Sequence, residues 1–389
     1  MYLLKNALVM SMAQPAFHGD VLIENGRISA VGEALQVPDN AQTMDCAGRY
    51  VLPGFIDAHC HIGMWEDGMG DEGADGNESS DPITPEMRAV DGINPFDPCF
   101  AEARAAGVTT VLTGPGSANV IGGQFVALKT AGRCIDDMIL RDPVAMKAAL
   151  GENPKREYTE QKATPYTRMA IAALFRKAMV DAQEYERKLE LGEEDPEKLP
   201  DRDLALEALL PVLRGELTVK FHAHRADDIL TALRLTREFG LCATIEHCTE
   251  GHLIADLLKE QLEELNAGII IGPLLSERAK IELKNLTFHS AKLLHDAGIP
   301  FALMTDHPVT PIQYLPVCAA LCVRDGLDEE TALRSITIDA ARITGLDARI
   351  GSIEPGKDAD IAIFDAHPLD FRAHCVCTFT NGQIVYQRR

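Results

Sequence analysis

The spacing of hydrophobic and polar positions changes rhythm along this chain. At the start it is short. Residues 1–50 read as brief β-rich runs, YLLKNALVM and DVLIENGRISAVG, broken by turn formers. Asn25-Gly26 between two such runs predicts a two-residue hairpin. The end of the chain repeats the style with DADIAIFDA and CVCTFTNGQIVYQ, and Asn381-Gly382 predicts a second hairpin. Strand-rich ends around a helix-rich middle predict a small β domain built from residues 1–52 and 350–389, with residues 53–349 inserted between them.

The middle alternates apolar strand-like runs with helical stretches. The runs are LPGFIDAHCH, VTTVLTG, QFVALKT, VAMKAALG, LTVKFHAH, CATIEHC, GIIIGP and PFALMTDH. Helical patterns include FDPCFAEARAAG before Val108 and DDILTALRLTREFG after His224. Eight strands with intervening helices predict an α/β protein: a closed (β/α)8 TIM barrel carrying a small β-sandwich domain formed by the N- and C-terminal segments. A doubly wound open sheet is the alternative, because periodicity does not prove closure. Two segments break the alternation. Met64–Pro95 is rich in Gly, Asp and Glu and reads as a functional lid or a disordered loop. Tyr166–Gly215 reads as two charged helices split by GEEDPEKLPDRD, coating a solvated face.

Composition narrows the partners. The 389 residues carry a formal net charge of −22. That charge opposes nucleic-acid and anionic-membrane partners. No apolar run is long enough to cross a membrane. The N-terminus lacks a basic n-region and a long apolar core, so it reads as a strand and not a signal peptide. Ten scattered cysteines without a CxxC suit a reducing cytoplasm. The expected partner is a small-molecule substrate, with homo-oligomerisation left open.

The chemistry is predicted at the C-terminal ends of the barrel strands. The first strand ends in His59 and His61, which alternate and so share a face. The fifth ends in His222 and His224, the sixth in Glu246-His247, and the eighth in Asp306-His307. A lone histidine is more often a hydrogen-bonded core residue than a ligand. Six of the chain's 12 histidines at these ends are harder to dismiss. Several imidazoles with a carboxylate suit a divalent metal, zinc first, with iron, manganese or nickel as alternatives. Such a metal brings the pKa of bound water toward roughly 7. Asp306 is the candidate to accept that water's proton and deliver it to a leaving nitrogen. Arg225 and Lys155-Arg156 lie just beyond strand ends, where they are candidates to hold an anionic substrate group. Gly114–Gln124 is Gly-rich, but it lacks the context of a dinucleotide fingerprint.

VLPGFIDAHCH resembles the signature of the amidohydrolase superfamily of metal-dependent hydrolases. TALRSITIDAARITGLDARIGSIEPGKDADIAIFD resembles that superfamily's closing segment. The similarity is greatest to the branch of imidazolonepropionases and prolidase-like hydrolases. The resemblance implies one or two divalent metals and hydrolysis of an amide, amidine or related bond. Residue by residue, it implies that His59 and His61 bind the more buried metal. It assigns His222 and His247 as ligands from the fifth and sixth strands, and Asp306 as ligand and proton shuttle. His224 is then a substrate contact. Two-metal members bridge their ions from the fourth strand. There Glu152, in GENPKR, is the preferred ligand, because GEN resembles adenine deaminase-like members. Lys147, in AMKAALG, is the alternative and lies deeper. If neither bridges, the site holds one metal.

The leading function is therefore metal-dependent hydrolysis of a carbon–nitrogen bond in a cyclic, dipeptide-like or other small amide. A deaminase of heterocyclic bases is the second reading. A non-catalytic protein on the same fold is the third, and it would be expected to have lost its ligands.

Overall fold

A computed structural model describes residues 1–389. The first five strands are β1 (Tyr2–Val9), β2 (Phe17–Glu24), β3 (Arg27–Gly32), β4 (Gln42–Asp45) and β5 (Tyr50–Pro53). Eight strands follow: β6 (Phe55–Cys60), β7 (Val108–Thr113), β8 (Ile121–Lys129), β9 (Ile139–Ala149), β10 (Thr218–Ala223), β11 (Ala243–His247), β12 (Ala267–Ile271) and β13 (Phe301–Leu303). The chain closes with β14 (Ile361–Phe364), β15 (Cys375–Thr380) and β16 (Gln383–Gln387). No helix is long and apolar enough to cross a membrane.

Strands from the two ends meet edge to edge in one eight-stranded sheet, in the order β16-β15-β14-β5-β1-β2-β3, with β4 paired to β1. β5 joins the two halves, antiparallel to β14 and parallel to β1. The expected sandwich is thus a single continuous sheet. Both Asn-Gly pairs turn hairpins, with φ of 51° and 80° at Asn25-Gly26 and 48° and 72° at Asn381-Gly382. Asn and Gly tolerate those left-handed angles, which the tight turn requires at both central positions.

The second sheet runs β13-β12-β11-β10-β9-β8-β7-β6. Its ends meet at the C-terminal mouth, where the Asp306 amide donates to the His59 carbonyl at 3.1 Å and the His61 amide donates to the His307 carbonyl at 2.9 Å. The result is a nearly closed eight-stranded barrel. One strand departs from the expected pattern: β8 is antiparallel to both β7 and β9. Only residues 114–120 separate β7 from β8, and only 130–138 separate β8 from β9. These connections are too short for the crossover of a dozen or more residues that parallel neighbours need.

β10 shows how sequence alternation builds the site. Val219, Phe221 and Ala223 belong to the main hydrophobic cluster outside the barrel. Lys220, His222 and His224 alternate with them, and all three are buried. The helices Arg168–Glu194 and Leu204–Leu213 occupy the stretch read as two charged helices. Residues 64–95 are folded onto the barrel by short 3-10 turns and isolated bridges, including Ile83 to Ile121 and Arg88 to Gln124.

Candidate metal centre

Two groups of three ligand-type side chains face each other at the barrel mouth. One is His59, His61 and Asp306; the other is His222, His224 and His247. Within each group the donor atoms lie within 4.8 Å of one another. The His59 and His247 rings, one from each group, are 5.9 Å apart between centroids. All five histidines are buried.

In the first group Asp306 Oδ1 stands 3.1 Å from His61 Nε2 and 3.7 Å from His59 Nε2. His61 Nδ1 donates to the Gly114 carbonyl at 2.7 Å, which leaves Nε2 as the lone-pair nitrogen. That carbonyl opens the Gly-rich loop. Trp65 packs edge-on against His61, with ring centroids 5.0 Å apart. His59 is held from beneath. Glu246 Oε2 lies 2.9 Å from its Nδ1, and Lys220 Nζ lies 3.1 Å from the same carboxylate. Lys220 also donates to the Ala58 carbonyl at 3.1 Å. The contact is ionic proximity, since neither His59 Nδ1 nor Glu246 Oε2 makes a hydrogen bond, and it places a carboxylate behind the ligand-type imidazole.

Asp57 ties the first strand to the eighth. Its carboxylate accepts from the amides of His59 and Thr305 and from the Thr305 hydroxyl. Burial pushes Asp57 up to about 7 despite these hydrogen bonds.

In the second group the ring centroids of His222 and His247 are 4.2 Å apart, and those of His224 and His247 are 4.3 Å apart. His247 pairs with Ala223, an outward-facing position, so strict alternation would turn its ring away. Its φ of 69° breaks the alternation. Asp306 has a φ of 52°. Left-handed backbone at two non-glycine residues of one site costs of order 1 kcal/mol each and is kept where surrounding structure enforces it. His247 Nδ1 donates to the Gly272 carbonyl at 2.9 Å. His224 Nδ1 meets the Thr249 hydroxyl at 2.8 Å. The Nε2 atoms of His224 and His247 are buried with no hydrogen-bond partner. Burial, aided by nearby lysines and histidines, drives His59, His222, His224 and His247 well below the usual imidazole range. Neutral rings with orphaned, inward-facing nitrogens fit divalent metal ions.

The fourth-strand candidates separate clearly. Lys147 lies opposite Lys220 in register, one pleat below His222. Its long side chain makes up the depth: Nζ stands 3.1 Å from His59 Nε2, and the residue is fully buried. Burial brings its amine down to about 8. Glu152 instead opens the helix Glu152–Glu160, is half-buried, and joins neither group. Arg225 forks onto Asp227 with two 2.9 Å bonds at the surface and does not reach the histidines. His307 is anchored by accepting from the Ile312 amide at 3.2 Å.

Sequence reasoning missed three residues here: Glu246 as the support of His59, and Lys280 and Glu282 on the segment after β12. Glu282 Oε1 lies 3.7 Å from His224 Nε2 and 3.9 Å from His222 Nε2. The Glu282 side chain is 1% exposed. No local pattern in KIELK marks it as buried. A cleft of about 720 Å³ lies elsewhere, at the strand starts around Thr218, Ala243 and Ala267. That is the barrel face associated with stability, and the donor groups at the opposite mouth outweigh cleft size in locating chemistry.

Residues 207–386 match the family model described as Amidohydrolase family. An amidohydrolase from Thermotoga maritima MSB8 is 43% identical, covers 100% of both chains and superposes with a TM-score of 0.96. Amidohydrolase tasK from Hapsidospora irregularis is 32% identical over 94% of this chain, which spans 39% of that relative's length. An imidazolonepropionase from Streptomyces griseus subsp. griseus is 27% identical, over 89% of this chain and 85% of its own. With full-length similarity to an amidohydrolase structure at 43% identity, the chain belongs to the amidohydrolase family, hydrolases acting on carbon–nitrogen bonds.

Proposed function

We propose that the protein hydrolyses the carbon–nitrogen bond of a small amide in a reaction that depends on divalent metal. The observation that carries this reading is the pair of facing donor groups at one barrel mouth, with Lys147 beside His59. His59, His61 and Asp306 would hold one ion, and His222 and His247 a second. Zinc is the first choice for such a nitrogen-rich set, with iron, manganese and nickel as alternatives. Lys147 is the bridge that the geometry favours over Glu152. Its neutral amine can add carbon dioxide and release a proton, and the resulting carbamate would add a carboxylate-like ligand beside His59. Bound there, a divalent ion supplies Lewis acidity: it polarises a carbonyl and acidifies water.

The protein's own groups do the rest. Asp306, with 14% of its side chain exposed, is the carboxylate of its group that opens toward solvent. It takes the proton from the attacking water and returns it to the departing nitrogen. Water's oxygen bonds to the carbonyl carbon, the carbon–nitrogen bond breaks, and the amine leaves with the transferred proton. Glu246 and Lys220 hold His59 from beneath, and the Gly114 carbonyl holds His61. His224, whose buried Nε2 has no hydrogen-bond partner, would touch the substrate.

The test is a panel of N-acyl amino acids, dipeptides, cyclic amides and heterocyclic bases, assayed with zinc- and manganese-loaded protein. Amine release from an amide, abolished by chelator and restored by metal, supports the reading. Ammonia release from a base alone would move the function to a deaminase. Turnover indifferent to chelator would overturn it.

A further inference from the structure

Glu282 occupies an unusual position. It sits in a 3-10 turn, Ile281–Leu283, between β12 and the helix His289–Asp296. One carboxylate oxygen, Oε2, accepts from the Glu152 amide at 3.1 Å. This docks it on the N-terminus of the helix Glu152–Glu160, where an anion is favoured. Gly151 makes the approach feasible, since a Cβ there would lie 2.9 Å from Oε2. The other oxygen, Oε1, is buried, has no hydrogen-bond partner, and points at His222 and His224. Lys280 Nζ lies 3.7 Å from Oε1, near enough to attract but too far to donate. The Lys280 side chain is partly exposed. Across Gly151, the buried Asp228 is already taken by Arg168. Buried carboxylate oxygens without partners are rare, and one aimed into a site is a place for a ligand's donor.

We propose that Glu282 is a specificity-determining residue: its free oxygen accepts a hydrogen bond from a protonated nitrogen next to the scissile carbonyl, so that substrates with an α-ammonium group are preferred. This rests on the proposed hydrolase site. The position of the nitrogen follows from reach. Oε1 is 3.7 Å and 3.9 Å from the His224 and His222 nitrogens, so a donor that meets it lies beside the groups that would hold the ion next to the reacting carbonyl.

Two hydroxamates probe this without knowledge of the substrate. Both chelate a divalent ion, but glycine hydroxamate carries an α-ammonium group and acetohydroxamate does not. Binding is measured by calorimetry on zinc-loaded protein at about pH 6.5, where an α-amino group is protonated. A charge-assisted hydrogen bond predicts that glycine hydroxamate binds roughly ten- to a hundredfold more tightly. Glu282→Gln should bring the two within about threefold while leaving the acetohydroxamate affinity and the metal content unchanged. Glu282→Asp, which keeps the charge but withdraws the oxygen, should do the same and serves if the first variant fails to fold. Equal affinities in the parent protein, or an undiminished preference in both variants, would overturn the proposal. Loss of metal from Glu282→Gln would also overturn it, by making Glu282 a ligand to the ion. If neither hydroxamate binds the metal-loaded parent, the hydrolase site itself fails, and this inference falls with it.

Discussion

Replacing Glu246 by Gln removes one negative charge from a fully buried site and leaves its shape intact. Lys220 Nζ then loses a carboxylate 3.1 Å away, and His59 Nδ1 loses one at 2.9 Å. At an effective dielectric of about 20, the Lys220–Glu246 attraction alone is about 5 kcal/mol. Breaking a buried pair by removing one partner typically costs about 3–5 kcal/mol. The loss is limited because burial already lowers the Lys220 pKa, so that the orphaned amine can shed its proton. For 389 residues the unfolding entropy is about 0.8 kcal/mol per degree, so the melting midpoint should fall by about 4–6 °C. Metal affinity should fall about 10- to 100-fold, because His59 loses the carboxylate behind its ring. Calorimetric melting of the apoprotein and metal titration read the two effects separately. Glu246→Gln combined with Lys220→Met should recover most of the stability, since no unpaired charge stays buried, while metal affinity stays low. A single variant that melts within a degree of the parent and binds metal normally would refute this account of the network.

Asp306→Asn should cut turnover by about 10²–10⁴-fold on whichever amide proves to be a substrate. Its circular dichroism and melting curve should hold, since Asn tolerates the left-handed backbone at this position. Near-normal turnover would exclude Asp306 as the proton carrier. Bicarbonate-dependent metal loading should accelerate between about pH 7 and 9. The Lys147 amine, depressed to about 8, is mostly protonated below that value and mostly neutral above it, and only the neutral form adds carbon dioxide; a flat profile would count against carboxylation. With an aromatic disulfide reagent, exposed Cys134 should react first and half-buried Cys242 more slowly. The other eight thiols are buried and should react only after unfolding, which thiol counting under native conditions will check.

Much of this centre was legible in the chain because its signals are local. His59 and His61 alternate on one strand, and the Asn-Gly turns need only two residues. The reversal of β8 was hidden because period-two alternation carries no strand direction. The short segments 114–120 and 130–138 were the available clue. Lys147 looked too deep because its reach depends on side-chain length, which register does not count. The contact of Glu246 with His59, and Glu282 altogether, were hidden for a different reason. Each is buried by partners far away in sequence, Glu282 by a backbone amide 130 residues distant. His247 reaches its group through a left-handed φ, uncommon for any non-glycine residue and not marked by the strand pattern around it.

Metal analysis of the protein purified from zinc-supplemented medium, paired with Lys147→Met, tests the central claim most directly. The account predicts about two divalent ions per chain in the parent and about one or fewer in the variant, with melting showing that the variant remains folded. A parent that carries no metal and gains none on titration with Zn2+ or Mn2+ would contradict it.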